Sequence, residues 1–324
     1  MIKFGKQVCV LGGAGFIGRA VIPALTKAGY QVTLAVRHPE RYREMALVPN
    51  VKLQTLEAFD YEPLRRLFKS QSFVVNLLAD QTNATESVDE SDFVAVTQAI
   101  KKAAEACSVP RLIQLSQIGA NASQAKSNWL RVLGEADAII HNMASTLTTV
   151  LRPGLLIGDG DHTTSLYKAH LMNFSLLMVP NAEVQIQPLS VQDFAKALVQ
   201  CLKQDSCFNA KVELVGEERM TIKDLAEWVK DFMGVEKSMV LPMCQMNAKF
   251  MLMLGWLAPF RTVSKYQQKQ LAVDLTSKED FSTRFGFEPS SIETVLAGYV
   301  FPHQIRQRYQ FFRSHAGRKQ QEFE

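Results

Sequence analysis

The stretch that decides the fold runs from Val8 to Gly18 and reads VCVLGGAGFIG. An apolar β-type run ends in a glycine-rich loop, and the loop leads directly into a segment with helical periodicity. Glycines at such a junction allow a tight turn, a close approach of the backbone to a pyrophosphate and close packing of the helix on the strand. The amides at the helix N-terminus also attract an anion. The sequence therefore predicts a nucleotide-binding loop, whose residues are Gly12, Gly13, Ala14, Gly15, Phe16, Ile17 and Gly18.

The first half of the chain alternates short β-branched runs with longer amphipathic segments, a pattern that is typical of βαβ units in a parallel sheet. Strands are predicted over residues 7–11, 31–35, 51–55, 73–77, 112–115 and 147–151. Helices are predicted over residues 17–28, 62–69, 92–107 and 128–142, where apolar residues recur at helical spacing. The fold class predicted from this order is α/β, with a Rossmann-type doubly wound parallel sheet.

The pattern becomes irregular after residue 152, where a smaller and mainly helical part begins. Its predicted helices cover residues 191–203, 222–232, 247–256 and 292–299, and isolated strands are predicted over 184–187 and 211–215. We expect the segments near 184–191 and 211–215 to interleave with the main sheet. The predicted organisation is a dinucleotide-binding domain over residues 1–155, a mixed, mainly helical domain over 156–302 and a basic aromatic tail over 303–324.

The end of the second predicted strand carries a basic group. In NAD-binding proteins of this architecture, a carboxylate about 20 residues beyond the glycine loop holds the ribose 2′-hydroxyl. Arg37 occupies that place, and His38 and Arg41 follow it. A guanidinium suits a 2′-phosphate through bidentate, charge-assisted bonds, so this pattern favours NADP(H) over NAD(H). The alternative is an arginine that is merely solvated at a strand end.

With these motifs the chain resembles the extended and atypical short-chain dehydrogenase/reductase superfamily, which includes NAD-dependent epimerases and dehydratases. The matching segments run over about residues 7–300 and include LSQIGAN at 115–121 and LRPG at 151–154. The resemblance implies further cofactor contacts at the adenine, under the cofactor and near the nicotinamide. These residues are Glu57, Ala58, Leu78, Ala79, Ser116 and Pro153.

Within the superfamily, the basic strand end and the stretch 241–299 look most like the nucleotide-binding accessory subunit of respiratory complex I and its bacterial relatives. The same branch includes proteins that are associated with quinone biosynthesis. The resemblance therefore implies a dinucleotide-binding protein that is linked to the respiratory chain or to quinone metabolism, with a respiratory-chain protein as its partner.

The chain departs from the superfamily in its chemistry. Short-chain dehydrogenases place a Tyr and a Lys four residues apart on one helix face, where they transfer a proton. The corresponding segment, SNWLRVLGE at 127–135, has no tyrosine, and no Tyr-x-x-x-Lys occurs elsewhere in the sequence. Two registers are open, Ser127 with Arg131 or Trp129 with Leu133, and neither pair transfers a proton. We therefore predict no catalytic residue, and whether the protein is an enzyme stays open.

Three functions fit these observations. We expect a non-catalytic or accessory NADP(H)-binding protein. The first alternative is an atypical NADP(H)-dependent reductase or isomerase of a hydrophobic small molecule, quinone-like or isoprenoid, and the second is a redox-sensing regulator that reports cofactor occupancy to a partner. An apolar cavity beside the nicotinamide favours the enzyme, and a filled one favours the accessory role.

Composition and spacing exclude several classes of function. Thirty-six Lys and Arg against 32 Asp and Glu leave a net charge of +4, which is too small to indicate nucleic-acid binding. The five cysteines form no CxxC pair and lie mostly in apolar runs, as reduced, buried thiols do. The segment GDGDH at 158–162 is interpreted as a turn, so no metal site is predicted.

Two segments favour contact with a membrane surface or a hydrophobic partner. The longest strongly apolar run, 250–260, has 11 residues and is too short to span a bilayer. It belongs to a methionine-rich stretch that is interpreted either as a packing helix or as a docking surface. No acidic residue occurs from Thr294 to Gln321, where arginines alternate with aromatic residues as in an interfacial helix; a solvated tail is the alternative. Since the N-terminus resembles no signal peptide, we expect a cytoplasmic protein that binds peripherally at the inner face of a membrane.

Overall fold

A seven-stranded parallel sheet forms the centre of the computed structural model, which describes residues 5–235, 237–244, 246–248, 253 and 264–300. The strands are β1 (Gln7–Leu11), β2 (Gln31–Val36), β3 (Val51–Thr55), β4 (Phe73–Asn76), β5 (Arg111–Leu115), β6 (Leu147–Pro153) and β11 (Ala210–Leu214). Their order across the sheet is β11-β6-β5-β4-β1-β2-β3, and all neighbours are parallel. The predicted Rossmann-type α/β fold is confirmed.

Helices lie between consecutive strands of this sheet. They are α1 (Phe16–Lys27), α2 (Tyr61–Phe68), α3 (Phe93–Ala106) and α4 (Asn128–His141), and a 3₁₀ segment, Pro39–Leu47, follows β2. Helix α3 contacts both α2 and α4, whereas α1 contacts α6 (Val191–Cys201). The strand order reverses between β1 and β4, where Leu11 pairs with Asn76. In open α/β sheets a ligand crevice opens at the carboxyl ends of the strands at such a point.

Strand β5 begins one residue earlier than predicted, at Arg111, a buried charged residue that pairs with Phe73 of β4 and Leu147 of β6. Its guanidinium donates to the carbonyls of Leu147 (3.0 Å) and Cys201 (2.7 Å) and lies 4.5 Å from the centre of the Phe208 ring. Desolvation lowers the pKa of the guanidinium to about 10. A buried charge needs such partners, and they all lie far away in the sequence, so the local pattern gave no sign of them.

The second part of the chain has its own hydrophobic core. Its remaining elements are β7 (Leu156–Ile157), α5 (Thr164–Leu171), β8 (Leu176–Pro180), β9 (Gln185–Ile186), β10 (Leu189–Ser190), β12 (Met220–Thr221), α7 (Ile222–Phe232), β13 (Met239–Met243), α8 (Lys265–Gln270), α9 (Phe281–Phe285) and α10 (Ile292–Tyr299). The core includes Tyr167, Leu225 and Leu296, all fully buried. Strand β11 lies at the edge of the main sheet beside β6. Strands β9 and β10 pair instead with β12 and β7, in two-stranded sheets.

Several predicted features lie wholly or mostly outside the described residues: the helix 247–256, the apolar run 250–260 and the tail 303–324. Of the described methionines near them, Met243 is buried, whereas Met239 and Met246 are exposed. Among the helices that the structure describes, none has the length and apolar character needed to cross a bilayer.

Candidate functional site

The glycine-rich loop connects β1 to α1 at the crevice. Gly12 has φ +70°, and a Cβ at this position would lie 2.8 Å from the carbonyl carbon of Leu77. A Cβ on Gly18 would lie only 2.1 Å from the carbonyl oxygen of Gly13. The loop therefore turns tightly against the end of β4 and packs closely on its own helix, as the glycine pattern predicted.

The first amides of α1 already have partners from the segment after β4. The Ile17 amide donates to Oδ2 of Asp80 (2.8 Å), and the Phe16 amide donates to the Thr82 hydroxyl (2.9 Å). A Cβ on Gly15 would lie 2.5 Å from the same Asp80 oxygen. These are the amides that a diphosphate at the helix N-terminus would use. Asp80 and Thr82 were not predicted from the sequence; the signal available was the polar stretch DQTNATE at 80–86, which begins three residues beyond the predicted strand.

One end of the groove is formed by the strand-end arginine and by the turn after β3. Arg37, Glu57 and Ala58 line one pocket of about 620 Å³. The Arg37 guanidinium lies 5.5 Å from the centre of the Phe59 ring and donates to the Thr85 carbonyl (3.1 Å). The structure thus brings together three of the residues predicted for the adenosine end.

His38 and Arg41, which were also predicted for this end, lie on the surface. His38 is 3.4 Å from the Glu40 carboxylate, and the Arg41 side chain is exposed. Neither residue lines the pocket in the part of the chain that is described.

The other end of the groove is nearly filled. Ala79, Ser116 and Pro153 line a cavity of only about 30 Å³ beside Phe16 and Ile17, which is close to the volume of one water molecule. Leu78 lies fully buried next to it, with its amide hydrogen-bonded to the Asn76 side chain (3.1 Å). This end is the position that the resemblance implied for the nicotinamide.

Two side chains from helix α8 also line this cavity, and neither was predicted from the sequence as a site residue. Tyr266 and Gln270 line it, and burial raises the pKa of the Tyr266 hydroxyl. They lie about 150 residues beyond Ser116 in the sequence, and α8 carries no motif that would have identified them.

Helix α4 lies beside Ser116 and carries the residues of both predicted registers. Leu133 is buried and lines the small cavity, whereas Trp129 is buried against Phe93 of α3, with the ring centres 5.2 Å apart. Ser127 instead caps the helix by accepting from the Leu130 amide, and Arg131 is an exposed partner of Glu135. Of the four residues in the two registers, Leu133 is the one that lines the cavity.

One turn further along the same face, Asp137 contacts Ser116. Its Oδ2 accepts from the Ser116 hydroxyl (2.9 Å) and from both Nε (3.0 Å) and Nη2 (2.7 Å) of Arg152. Burial raises the pKa of Asp137 to about 6, although the Arg152 guanidinium and the Ser116 hydroxyl oppose the shift. Asp137 thus links the serine at the cavity to the Arg152 guanidinium.

The turn 158–162 and an open cleft lie beside the glycine loop. The Asp161 carboxylate accepts from the amides of Gly158 (3.0 Å), Thr163 (2.8 Å) and Ser165 (3.1 Å), so it stabilises the turn. Among the described residues, no group of three or more His, Cys, Asp and Glu side chains is placed to hold a metal ion. The cleft, of about 750 Å³, is lined by residues of both core regions, including Phe16 and Tyr299.

Comparison with known proteins agrees with the resemblance drawn from the sequence. A family model described as NAD(P)H-binding matches residues 12–205. The chain is 26% identical over 234 residues to NADH dehydrogenase [ubiquinone] 1 alpha subcomplex subunit 9, mitochondrial, of Arabidopsis thaliana, a match that covers 70% of this chain and 58% of that protein. The subunit of the same name from Mus musculus is 24% identical over 235 residues, with 69% and 60% covered. The chain thus spans less than two thirds of these relatives.

Solved structures share the fold over nearly the whole chain. DesIV, the dTDP-glucose 4,6-dehydratase of Streptomyces venezuelae with NAD and TYD bound, superposes with a TM-score of 0.69 at 16% identity, over 96% of this chain and 98% of that one. The Bordetella bronchiseptica enzyme WbmH in complex with NAD+ gives a TM-score of 0.68 at 14% identity, over 96% and 99%. At these identities the likeness concerns the fold alone.

Proposed function

We propose that this chain, which belongs to the NAD(P)H-binding family, binds NADP(H) as a non-catalytic or accessory component linked to respiratory complex I or to quinone metabolism. The observation that carries the proposal is the groove face of α4. Leu133 lines the cavity beside Ser116, and Trp129, four residues earlier on the same helix, is buried. Neither side chain donates or accepts a proton in hydride-transfer chemistry of the short-chain dehydrogenase type.

The filled end of the groove supports the same role. Tyr266 and Gln270 leave about 30 Å³ beside Ser116, whereas binding sites for small molecules usually measure several hundred Å³. A substrate could reach a nicotinamide there only after α8 had moved. The similarity to complex I alpha subcomplex subunit 9 supports a respiratory-chain partner.

Arg37 supports NADP(H) as the cofactor. Its guanidinium has five N–H donors, and the contact to the Thr85 carbonyl uses one of them. The side chain is half-buried at the end of β2, beside the pocket that also contains Glu57 and Ala58. A 2′-phosphate in this pocket would receive charge-assisted bonds that a 2′-hydroxyl could not match.

Exposed apolar side chains support peripheral association at the inner face of a membrane or with a hydrophobic partner. Leu176 of β8 and Met239 and Leu241 of β13 are all exposed on one small parallel sheet. Large apolar groups that are grouped on a surface often mark an interaction site. Affinity purification from membranes of the native host, with complex I subunits as the readout, tests this part of the proposal.

The cofactor proposal is tested with Arg37→Glu. We expect NADPH and NADH each to raise the melting temperature of the wild type, because a ligand that binds the folded state stabilises it. Arg37→Glu should weaken NADPH binding at least about ten-fold more than NADH binding, which corresponds to about 1.4 kcal/mol. Arg131→Glu, the same charge reversal at an exposed position of α4, should leave both affinities unchanged. Equal loss of both dinucleotides would contradict the NADP(H) preference, and no melting shift with either would contradict the binding function.

A second candidate function is an atypical NADP(H)-dependent reductase or isomerase of a quinone-like or isoprenoid substrate. The hydrogen bond between Asp137 and Ser116 favours it, because a carboxyl group with a pKa of about 6 at the cavity can exchange a proton. NADPH oxidation with a short-chain ubiquinone analogue, abolished in Asp137→Asn, would support this candidate. Absence of turnover in the wild type with bound NADPH would favour the accessory role.

A further inference from the structure

The segment that follows β4 runs along the dinucleotide groove and supplies acceptors to it at two places. This segment, residues 80–88, is named the 80–88 loop below. At the glycine loop, Asp80 and Thr82 accept from the amides of Ile17 and Phe16 at 2.8 Å and 2.9 Å. At the end of β2, Oε2 of Glu86 accepts from the Arg37 amide at 2.9 Å. All three acceptors are side-chain oxygens, and two belong to carboxylates.

The three amides are the donors that a dinucleotide needs. A pyrophosphate binds at the helix N-terminus that follows the glycine loop, and the adenosine ribose lies at the end of the second strand. The loop's acceptors therefore occupy the same donors as the ligand, with negative charge near both positions at which NADP(H) carries phosphate groups.

Several contacts hold the 80–88 loop in this position. Asp80 is 4% exposed, and its second oxygen accepts from the Thr82 amide at 3.0 Å. The Asn83 side chain donates to the Ala14 carbonyl (3.2 Å) and to the Tyr42 hydroxyl (3.0 Å). These contacts, together with the one from Glu86, hold the loop in one defined position along the groove.

Both carboxylates are buried, and within the described part of the chain one of them lacks a hydrogen-bond partner on one oxygen. Glu86 is 5% exposed, and its Oε1 has no hydrogen-bond partner among the residues that the structure describes. Desolvation raises the pKa of Asp80, because its contacts with Thr82 and with the Ile17 amide do not fully offset the burial. Burying a carboxylate is costly, and this cost offsets part of the stabilisation that the loop's contacts provide.

We infer that the 80–88 loop is a built-in competitor of the dinucleotide: Asp80 and Thr82 hold the donors for the diphosphate, Glu86 holds the donor at the adenosine end, and the loop must be displaced before the cofactor binds. The inference rests on the proposed dinucleotide binding. It makes Asp80 and Glu86 residues that set the affinity of the groove, and it predicts that removing either carboxylate tightens binding.

Asp80→Asn tests the inference with the least change in shape. The variant keeps an oxygen acceptor for the Ile17 amide but removes the charge, so NADPH should bind at least about ten-fold more tightly than to the wild type. Asp231→Asn, the same change at an exposed residue of α7 beside Lys230, should leave the affinity unchanged. Thr82→Val removes the acceptor of the Phe16 amide with almost no change in volume and provides an independent variant if Asp80→Asn folds poorly.

A second readout separates competition from a merely structural role. Without ligand, Thr82→Val should melt below the wild type, because the Phe16 amide loses its acceptor. Asp80→Asn should also melt below it, because the helix N-terminus loses a neighbouring negative charge. With saturating NADPH the difference should shrink. A structural role alone would lower the stability without raising the affinity.

Titration of the wild type, Asp80→Asn and Glu86→Gln with NADPH and NADH distinguishes the outcomes. Tighter binding by both variants supports the competitor. If all three proteins bind NADPH equally, or if Asp80→Asn binds more weakly, the competitor is overturned and the proposed function stands. If none of them binds either dinucleotide, the proposed function itself fails.

Discussion

Close packing between the glycine loop and α1 can be tested by comparing two helical glycines. A Cβ on Gly18 would lie 2.1 Å from the carbonyl oxygen of Gly13 and 2.4 Å from the carbonyl carbon. Gly298 of α10 is also helical, but a Cβ there would have no atom within 4 Å among the described residues. Changing each glycine to alanine therefore separates the close approach from the effect on the helix.

The magnitudes follow from these distances. Alanine favours a helix over glycine by about 1 kcal/mol, and this gain applies at both positions. At Gly18 the obstructing atoms belong to the backbone and must move by more than an ångström, which places the cost at about 3 kcal/mol, the upper part of the range for overpacking. Gly18→Ala should therefore lower the free energy of unfolding by about 2 kcal/mol, and Gly298→Ala should raise it by about 1 kcal/mol.

Urea unfolding, followed by tryptophan fluorescence without added nucleotide, measures both changes against the wild type. Similar slopes in the three proteins would show that the extent of unfolding is the same, so that differences in midpoint report stability. Gly18→Ala should also lose NADPH binding, because the displaced loop no longer presents its amides. A Gly18→Ala protein with the stability of Gly298→Ala would refute the close packing of the loop on its helix.

Two further predictions concern Asp137 and the start of α7. Burial raises the pKa of Asp137 to about 6, so the folded state holds this proton more strongly than the unfolded chain does. The protonated carboxyl therefore contributes to the free energy of unfolding fully below about pH 4, and this contribution is lost as the pH rises through 6. Relative to the wild type, Asp137→Asn should gain about 2 kcal/mol of unfolding free energy between pH 4 and pH 7, and a difference that does not vary with pH would contradict the shift. At α7, Thr221 and Asp224 form a capping box, with bonds of 2.9 Å and 3.1 Å. Thr221→Ala should cost about 1 kcal/mol and Thr221→Ser almost nothing in urea unfolding, whereas equal losses would show that the hydroxyl does not cap the helix.

The sheet could be predicted from the sequence because its signals are local. The glycine loop and the alternation of apolar runs with amphipathic segments are short-range patterns, and the parallel order follows from them. Arg111 could not be assigned to β5 by the same reasoning, since the carbonyl of Cys201 that accepts from it lies 90 residues further along the chain. Burial of a charge depends on tertiary partners, which a local pattern does not contain.

The candidate site was predicted in part for a related reason. The loop glycines and Arg37 belong to a motif with fixed spacing, so their place in the groove follows from the motif. Asp80 and Glu86 reach their partners across 63 and 49 residues, and Tyr266 approaches from another part of the fold. The side chains that close the groove are therefore the ones that the sequence did not identify.

The closed groove changes how cofactor binding should be judged in this protein. In a glycine loop with free amides, a diphosphate gains hydrogen bonds that the empty protein lacks. Here the Ile17 and Phe16 amides already donate to Asp80 and Thr82, and a diphosphate would replace these acceptors. The net free energy of binding is therefore the difference between the ligand's hydrogen bonds and those of Asp80 and Thr82. Weak binding by the wild type is thus compatible with an intact dinucleotide site, and the affinity of the Asp80→Asn protein is the better measure of what the groove itself can bind.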